Sequence, residues 1–374
     1  MSAGLVRALA LALAAALAAG CASKPDKPKP AELPPATALI GVQQAWSAKI
    51  GEVRFPLTLT VAGGSLAVAN SEGAVTVLDG DTGRAQWQGS FGAAPAAGVG
   101  GDGKVWAAVT RDNQLVALSA GRELWRQRLP ALAYTSPFVA GGRVFVLTAD
   151  RSVAAYDGHS GRRLWVQQRP GEPLVLRQPG VMLAVGDTLV VGLSGRLVGM
   201  NPDNGAVRWE APIASPRGTN DVERLVDLVG QTSRVGDVVC ARAFQTSVGC
   251  VNTNRGTVLW TKPANGFQGL NGDDRLVFGT EGDGTVVAWR RQDGERAWSV
   301  DRLKYRQLTA PLLLGRSVAI GDDAGLVHLL SREDGSFLNR LATDGSPIVA
   351  GPVLAGDTLV VVTRNGGVYG FKPQ

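Results

Sequence analysis

Few side chains in this 374-residue chain could do chemistry. Its two histidines are His159, in the turn Asp157-Gly-His-Ser-Gly161, and His328, inside the apolar run Leu326-Val-His-Leu-Leu330. They stand far apart, and neither belongs to an H-x-E or H-E-x-x-H spacing, so no zinc site is expected and His328 reads as a structural residue. Gly98-Val-Gly-Gly-Asp-Gly103 fits G-x-G-x-x-G by letter, but it opens a strand rather than a helix, and the phosphate cradle of that motif is absent. Gly321-Asp-Asp-Ala-Gly325 lacks the ligand spacing of a calcium loop. No Ser/His/Asp set can be assembled from the turns, so the sequence predicts no catalytic residue, no metal and no cofactor. Of the three cysteines, Cys240 and Cys250 lie at equal distances from a turn near Gln245. Antiparallel strands would bring them opposite each other, either as a disulfide or as two buried free thiols. The formal charge of +6 is scattered, without a dense Lys/Arg stripe among aromatics, and nucleic acid is not an expected partner.

The elements that carry these residues follow one repeated stretch, Asp157-Gly-His-Ser-Gly-Arg-Arg-Leu-Trp165. A Gly-to-Trp step of four residues recurs at Gly83/Trp87, Gly121/Trp125, Gly161/Trp165, Gly205/Trp209, Gly256/Trp260 and Gly294/Trp298. Trp46 precedes the series, and a degraded copy puts Asn339 where Trp would stand. The intervals from Trp46 to Asn339 are 41, 38, 40, 44, 51, 38 and 41 residues. Within a unit, runs of four to six apolar or β-branched residues alternate with Gly, Asp and Asn turns, the pattern of short antiparallel strands. A period near 40 built of such strands predicts an all-β fold, an eight-bladed propeller of four-stranded antiparallel blades over residues 41–374. Each Trp is expected to fill the wedge between blades and to give its indole N–H to a turn carbonyl. Asn339 then predicts one looser junction. The last unit offers three strands and stops, so an outer strand near Trp46 should close the ring and hide both edges.

The N-terminus follows other rules. Arg7 is followed by twelve Ala and Leu residues, 8–19, too few to cross a bilayer and suited to a signal peptide over residues 1–20. Ala18-Ala19-Gly20-Cys21 resembles the lipobox of bacterial lipoproteins, which implies lipid attachment at Cys21. Position 22 is Ala rather than the Asp of an inner-membrane retention signal, which implies the outer membrane. Residues 21–40 hold the Pro/Lys-rich stretch Lys24-Pro-Asp-Lys-Pro-Lys-Pro30 and are expected to form a semi-rigid tether.

Two intervals are long because of insertions, Leu174-Val-Leu176-Arg177 in one and Asp221-Val-Glu-Arg224-Leu-Val-Asp227-Leu in the next. Extra residues in a repeat map to loops on one face, often the binding one, and these two lie in adjacent blades. The Asp-x-x-x-Gly-x-x-x-Trp repeat resembles that of pyrroloquinoline-quinone-type propellers. With the lipobox, the tether, eight units and the two loops, the chain is similar to the BamB family of outer-membrane assembly lipoproteins. That resemblance implies a non-enzymatic scaffold of the β-barrel assembly (BAM) complex, anchored on the periplasmic face of the outer membrane. It implies docking on the POTRA domains of BamA through Leu174, Leu176, Arg177 and Asp227. Separately from the resemblance, exposed propeller edges are expected to hold nascent outer-membrane proteins by strand addition. Where the family has a second Asp, this chain has Val229. A quinone-dependent dehydrogenase is the alternative from another class; it would require calcium ligands and a vicinal Cys pair. A propeller lipoprotein that binds another envelope component is the third reading.

Overall fold

Short apolar runs interrupted every few residues by Gly, Asp or Asn cannot sustain a helix, and they pair as strands. The computed structural model describes residues 28–36, 38–169, 174–216, 219–221 and 224–374; residues 1–20 and Cys21 lie outside the described residues. Among them, thirty-two strands form eight four-stranded antiparallel sheets. Blades 1 to 7 are sequential, over residues 60–90, 100–128, 138–168, 182–212, 228–263, 271–300 and 312–342. Blade 8 takes its three inner strands from Val353–Ala355, Thr358–Val362 and Gly367–Pro373 and its outer strand from Val42–Lys49. The closing pair runs from Val42 opposite Pro373 to Lys49 opposite Gly367, so first and last strands seal the ring as the sequence predicts.

The second and third strands of a blade are covered by neighbours on both faces, and Thr358–Val362 and Ser152–Asp157 are buried almost throughout. Outer strands such as Arg163–Gln168 show mostly exposed side chains with Trp165 turned inward. Turns between second and third strands, together with the connectors between blades, lie on one face of the ring, here the upper face. The turns from first to second and from third to outer strands lie on the lower face.

The Gly-to-Trp step has a mechanical origin. In each blade the register slips by one residue next to the Trp, or next to Asn339 in blade 7, for example between Ala155, opposite Trp165, and Tyr156, opposite Arg163. Such a bulge bends the strand and re-aims a side chain. The re-aimed ring lies on the turn glycine of the following blade: Gly83 faces Trp46, Gly161 faces Trp125 and Gly294 faces Trp260. At Gly83, φ is +68° and an added Cβ would stand 2.4 Å from the indole of Trp46, so both backbone shape and space demand glycine. The indole N–H then donates to a carbonyl of the same turn: Trp46 to Gly80 at 3.1 Å, Trp125 to Gly158 at 2.9 Å and Trp298 to Arg332 at 3.0 Å.

Two expectations change. Asn339 does not loosen its junction. It faces the seam of blade 8, where no hairpin turn exists, and its side-chain amide donates to the Ile40 carbonyl at 2.8 Å, the role an indole N–H has elsewhere. Nor is the segment up to residue 40 a free tether. Its residues 31–36 and 38–40 are docked along blade 7, with Leu33 packed against the core shared by blades 6 and 7.

Candidate partner-docking site

A ring of strands leaves its distinctive surface to its connectors. The longest run from blade 3 to blade 4, 169–181, and from blade 4 to blade 5, 213–227, and the described residues of both lie on the upper face. They meet at Asp227. One of its carboxylate oxygens, Oδ1, faces Arg151 Nη1 at 3.1 Å, and the other accepts the Leu176 amide N–H at 2.9 Å. Arg151 Nη2 also donates to the Leu174 carbonyl at 2.9 Å. Two further links join the first connector to the first strand of blade 5: Gly180 pairs with Val229, and the Gly230 amide donates to the Pro179 carbonyl at 2.6 Å. The Phe244 amide donates to the Asp227 carbonyl at 3.0 Å and ties the second connector to blade 5.

The clamp is largely dry, the side chains of Arg151 and Asp227 being 7% and 17% exposed. Removing one partner of such a pair leaves an uncompensated charge and costs roughly 3–5 kcal/mol. The loop it holds is therefore a fixed part of the rim. Leu174 is 43% exposed and Arg177 is exposed, while Leu176 is half-buried. The arrangement sets one exposed and one half-buried leucine beside an exposed guanidinium, on a loop whose backbone the clamp holds.

The structure thus brings Leu174, Leu176, Arg177 and Asp227 together, but it gives Asp227 a different part. The carboxylate expected to touch a partner is turned inward and holds the loop that carries Leu174, Leu176 and Arg177. Val229 is 2% exposed, a core residue at the rung with Gly180. Arg151 is the residue that sequence reasoning missed. It sits in a second-to-third strand turn with φ +63°, 76 positions from Asp227, and no local pattern announces that contact.

The other candidates lie elsewhere. Cys240 and Cys250 are directly opposed in blade 5 and joined as a disulfide, with Cα atoms 3.9 Å apart in the core shared with blade 6. His159 is exposed on a lower-face turn. His328 is fully buried, with Nε2 2.9 Å from Asp322 Oδ2. Among the described residues, no three His, Cys, Asp or Glu side chains converge as metal ligands.

A family model described as outer membrane protein assembly factor BamB matches residues 71–300. The chain belongs to the BamB family. It is 37% identical over 361 residues to the outer membrane protein assembly factor BamB of Burkholderia pseudomallei, covering 95% of each chain. Its identity to the BamB of Bordetella pertussis is 36% over 356 residues, covering 93% of this chain and 92% of that one. The crystal structure of BamB from Moraxella catarrhalis superposes with a TM-score of 0.81 at 24% identity, over 88% of this chain and 99% of the other, a likeness of fold. The resemblance drawn from the repeat and the two loops agrees with these BamB matches, and the eight-bladed ring agrees with the fold of the Moraxella catarrhalis protein.

Proposed function

We propose that this BamB family protein is a non-enzymatic scaffold of the outer-membrane β-barrel assembly complex, lipid-anchored through Cys21 on the periplasmic face of the outer membrane. Leu174, Leu176 and Arg177 dock on the POTRA domains of BamA, and Asp227 with Arg151 holds those three in place. End-to-end similarity to relatives named as outer membrane protein assembly factors supports the class of function. The observation that carries the docking reading is the clamp itself, which fixes an exposed leucine and an exposed arginine on one loop. A rigid anchor loses little conformational entropy on binding, and Arg can meet a carboxylate with two parallel hydrogen bonds.

The test is capture of the POTRA domains of BamA by purified variants. Leu176→Ala and Arg177→Ala should each weaken binding by about tenfold, roughly 1.4 kcal/mol, with little change in melting temperature. Asp227→Asn should weaken it too, but with faster amide exchange across residues 174–177 as the loop comes free. Wild-type capture by both loop variants would overturn the assignment.

A further inference from the structure

The route of the N-terminal segment carries an inference about how the propeller meets a membrane. Ala31 lies on the upper face, where its amide donates to the Lys304 carbonyl at 2.9 Å and its carbonyl accepts from Arg306 Nε and Nη2 at 3.3 and 3.0 Å. Arg306 is itself fixed by Asp322 at 3.2 Å. Further along, Arg340 Nη2 donates to the Pro34 carbonyl at 2.9 Å, and Leu33 packs into the core of blades 6 and 7. The Leu39 amide donates to Leu338 at 2.8 Å, beside the Asn339 bond to Ile40. Residues 31–36 and 38–40 therefore descend the outside of blade 7 from the upper to the lower face, where the closing strand Val42–Lys49 begins.

We propose that this segment is a strap that decides which face of the ring is rooted to lipid; the proposal rests on the lipid-anchor reading of Cys21. With the strap seated, the leash leaves from Ala31 on the upper face, ten residues after Cys21 and at most about 35 Å long. With the strap released, the root moves to Gly41 on the lower face, and the leash doubles to twenty residues and about 70 Å. The docking loop of residues 174–177 shares the upper face, at the connector between blades 3 and 4, while Ala31 sits at the connector between blades 6 and 7. One face then addresses both the membrane and the partner, and three of eight connector steps, about 135° around the ring, separate the two attachments.

The experiment uses the full-length lipidated protein in phospholipid vesicles carrying a headgroup quencher. A fluorophore is placed on Ala324→Cys in the upper turn of blade 7, or on Arg316→Cys in its lower turn, both exposed positions. Quenching should be at least about twofold greater at the upper position. The strap-only variant Ala31→Pro/Leu33→Ser removes one donor and one apolar contact while substituting no residue of the ring, and it should abolish or reverse that difference. Equal quenching at the two positions in the parent protein, or an unchanged difference in the strap variant, would overturn the strap. Failure of the parent protein to float with the vesicles would overturn the anchor reading, and the strap with it. Neither outcome depends on BamA.

Discussion

Asp322 is fully buried, yet its carboxylate accepts four hydrogen bonds. Arg306 and His328 share one oxygen, and the Ala324 and Leu326 amides share the other. An ionised carboxylate can only accept, so His328 carries its proton on Nε2. Burial by itself pushes the Asp322 carboxyl upward, but the hydrogen bonds from His328 and the two amides outweigh it, and the group lies below the ordinary carboxylate value. A folded-state value below the unfolded one stabilises the fold above the unfolded pKa, near 3.9, and that stability fades as pH falls through the folded value. Acid denaturation below about pH 4 should therefore draw on Asp322. The variant Asp322→Asn should be less stable at pH 7 by about 1.5–3 kcal/mol, the range for hydrogen bonds to a charged group. It should also lose part of the acid-dependent slope in urea titrations between pH 5 and 3. Equal slopes for parent and variant would assign the acid sensitivity to other groups.

At the scale of the element, the Gly-to-Trp step was legible because everything that sets it is local: a tight turn, a bulge and a ring that needs a glycine to rest on. What lay beyond the repeat's own length was not. Asn339 looks like a lost Trp because its partner, the Ile40 carbonyl, stands 299 positions earlier in the chain. The Pro-rich composition of residues 22–36 describes a spacer, and a lone apolar residue, Leu33, cannot announce that the spacer is docked. Likewise the two insertions were visible as extra length, while the Arg151 clamp that joins them depends on the ring bringing blade 3 against the connector into blade 5. Restoring the repeat offers a test. If blade 7 merely lacked its Trp, Asn339→Trp would stabilise the protein. At the seam there is no turn to receive an indole, so the larger ring should overpack the entry to the closing strand and cost about 1–3 kcal/mol. Asn339→Ala should cost only about 1 kcal/mol, for one hydrogen bond. Thermal unfolding of the two variants distinguishes these outcomes, and a rise in melting temperature for Asn339→Trp would contradict the seam account.

For the whole molecule, stability is the sum of blade junctions plus one closure, and the closure is made by the two ends of the chain. Blade 8 without Val42–Lys49 would expose the full edge of Gly367–Pro373, and it would remove Trp46, whose ring covers Gly83 in blade 1. Open strand edges template association, so an unclosed ring should be lost to aggregation rather than merely softened. A truncation series separates these contributions. Starting the chain at residue 31 should leave the melting temperature unchanged, because the contacts of the strap begin there. Starting at residue 41 removes the strap with its Leu33 contact and should cost about 2 kcal/mol, the burial of one aliphatic side chain in part offset by the freedom regained. Starting at residue 50 removes the closing strand and should yield no soluble monomer by gel filtration. The steps are unequal because the strap adds contacts to a ring already closed, whereas the closing strand supplies one full side of the ladder in blade 8. A soluble, cooperatively unfolding monomer beginning at residue 50 would mean that seven complete blades hold the ring without its seam.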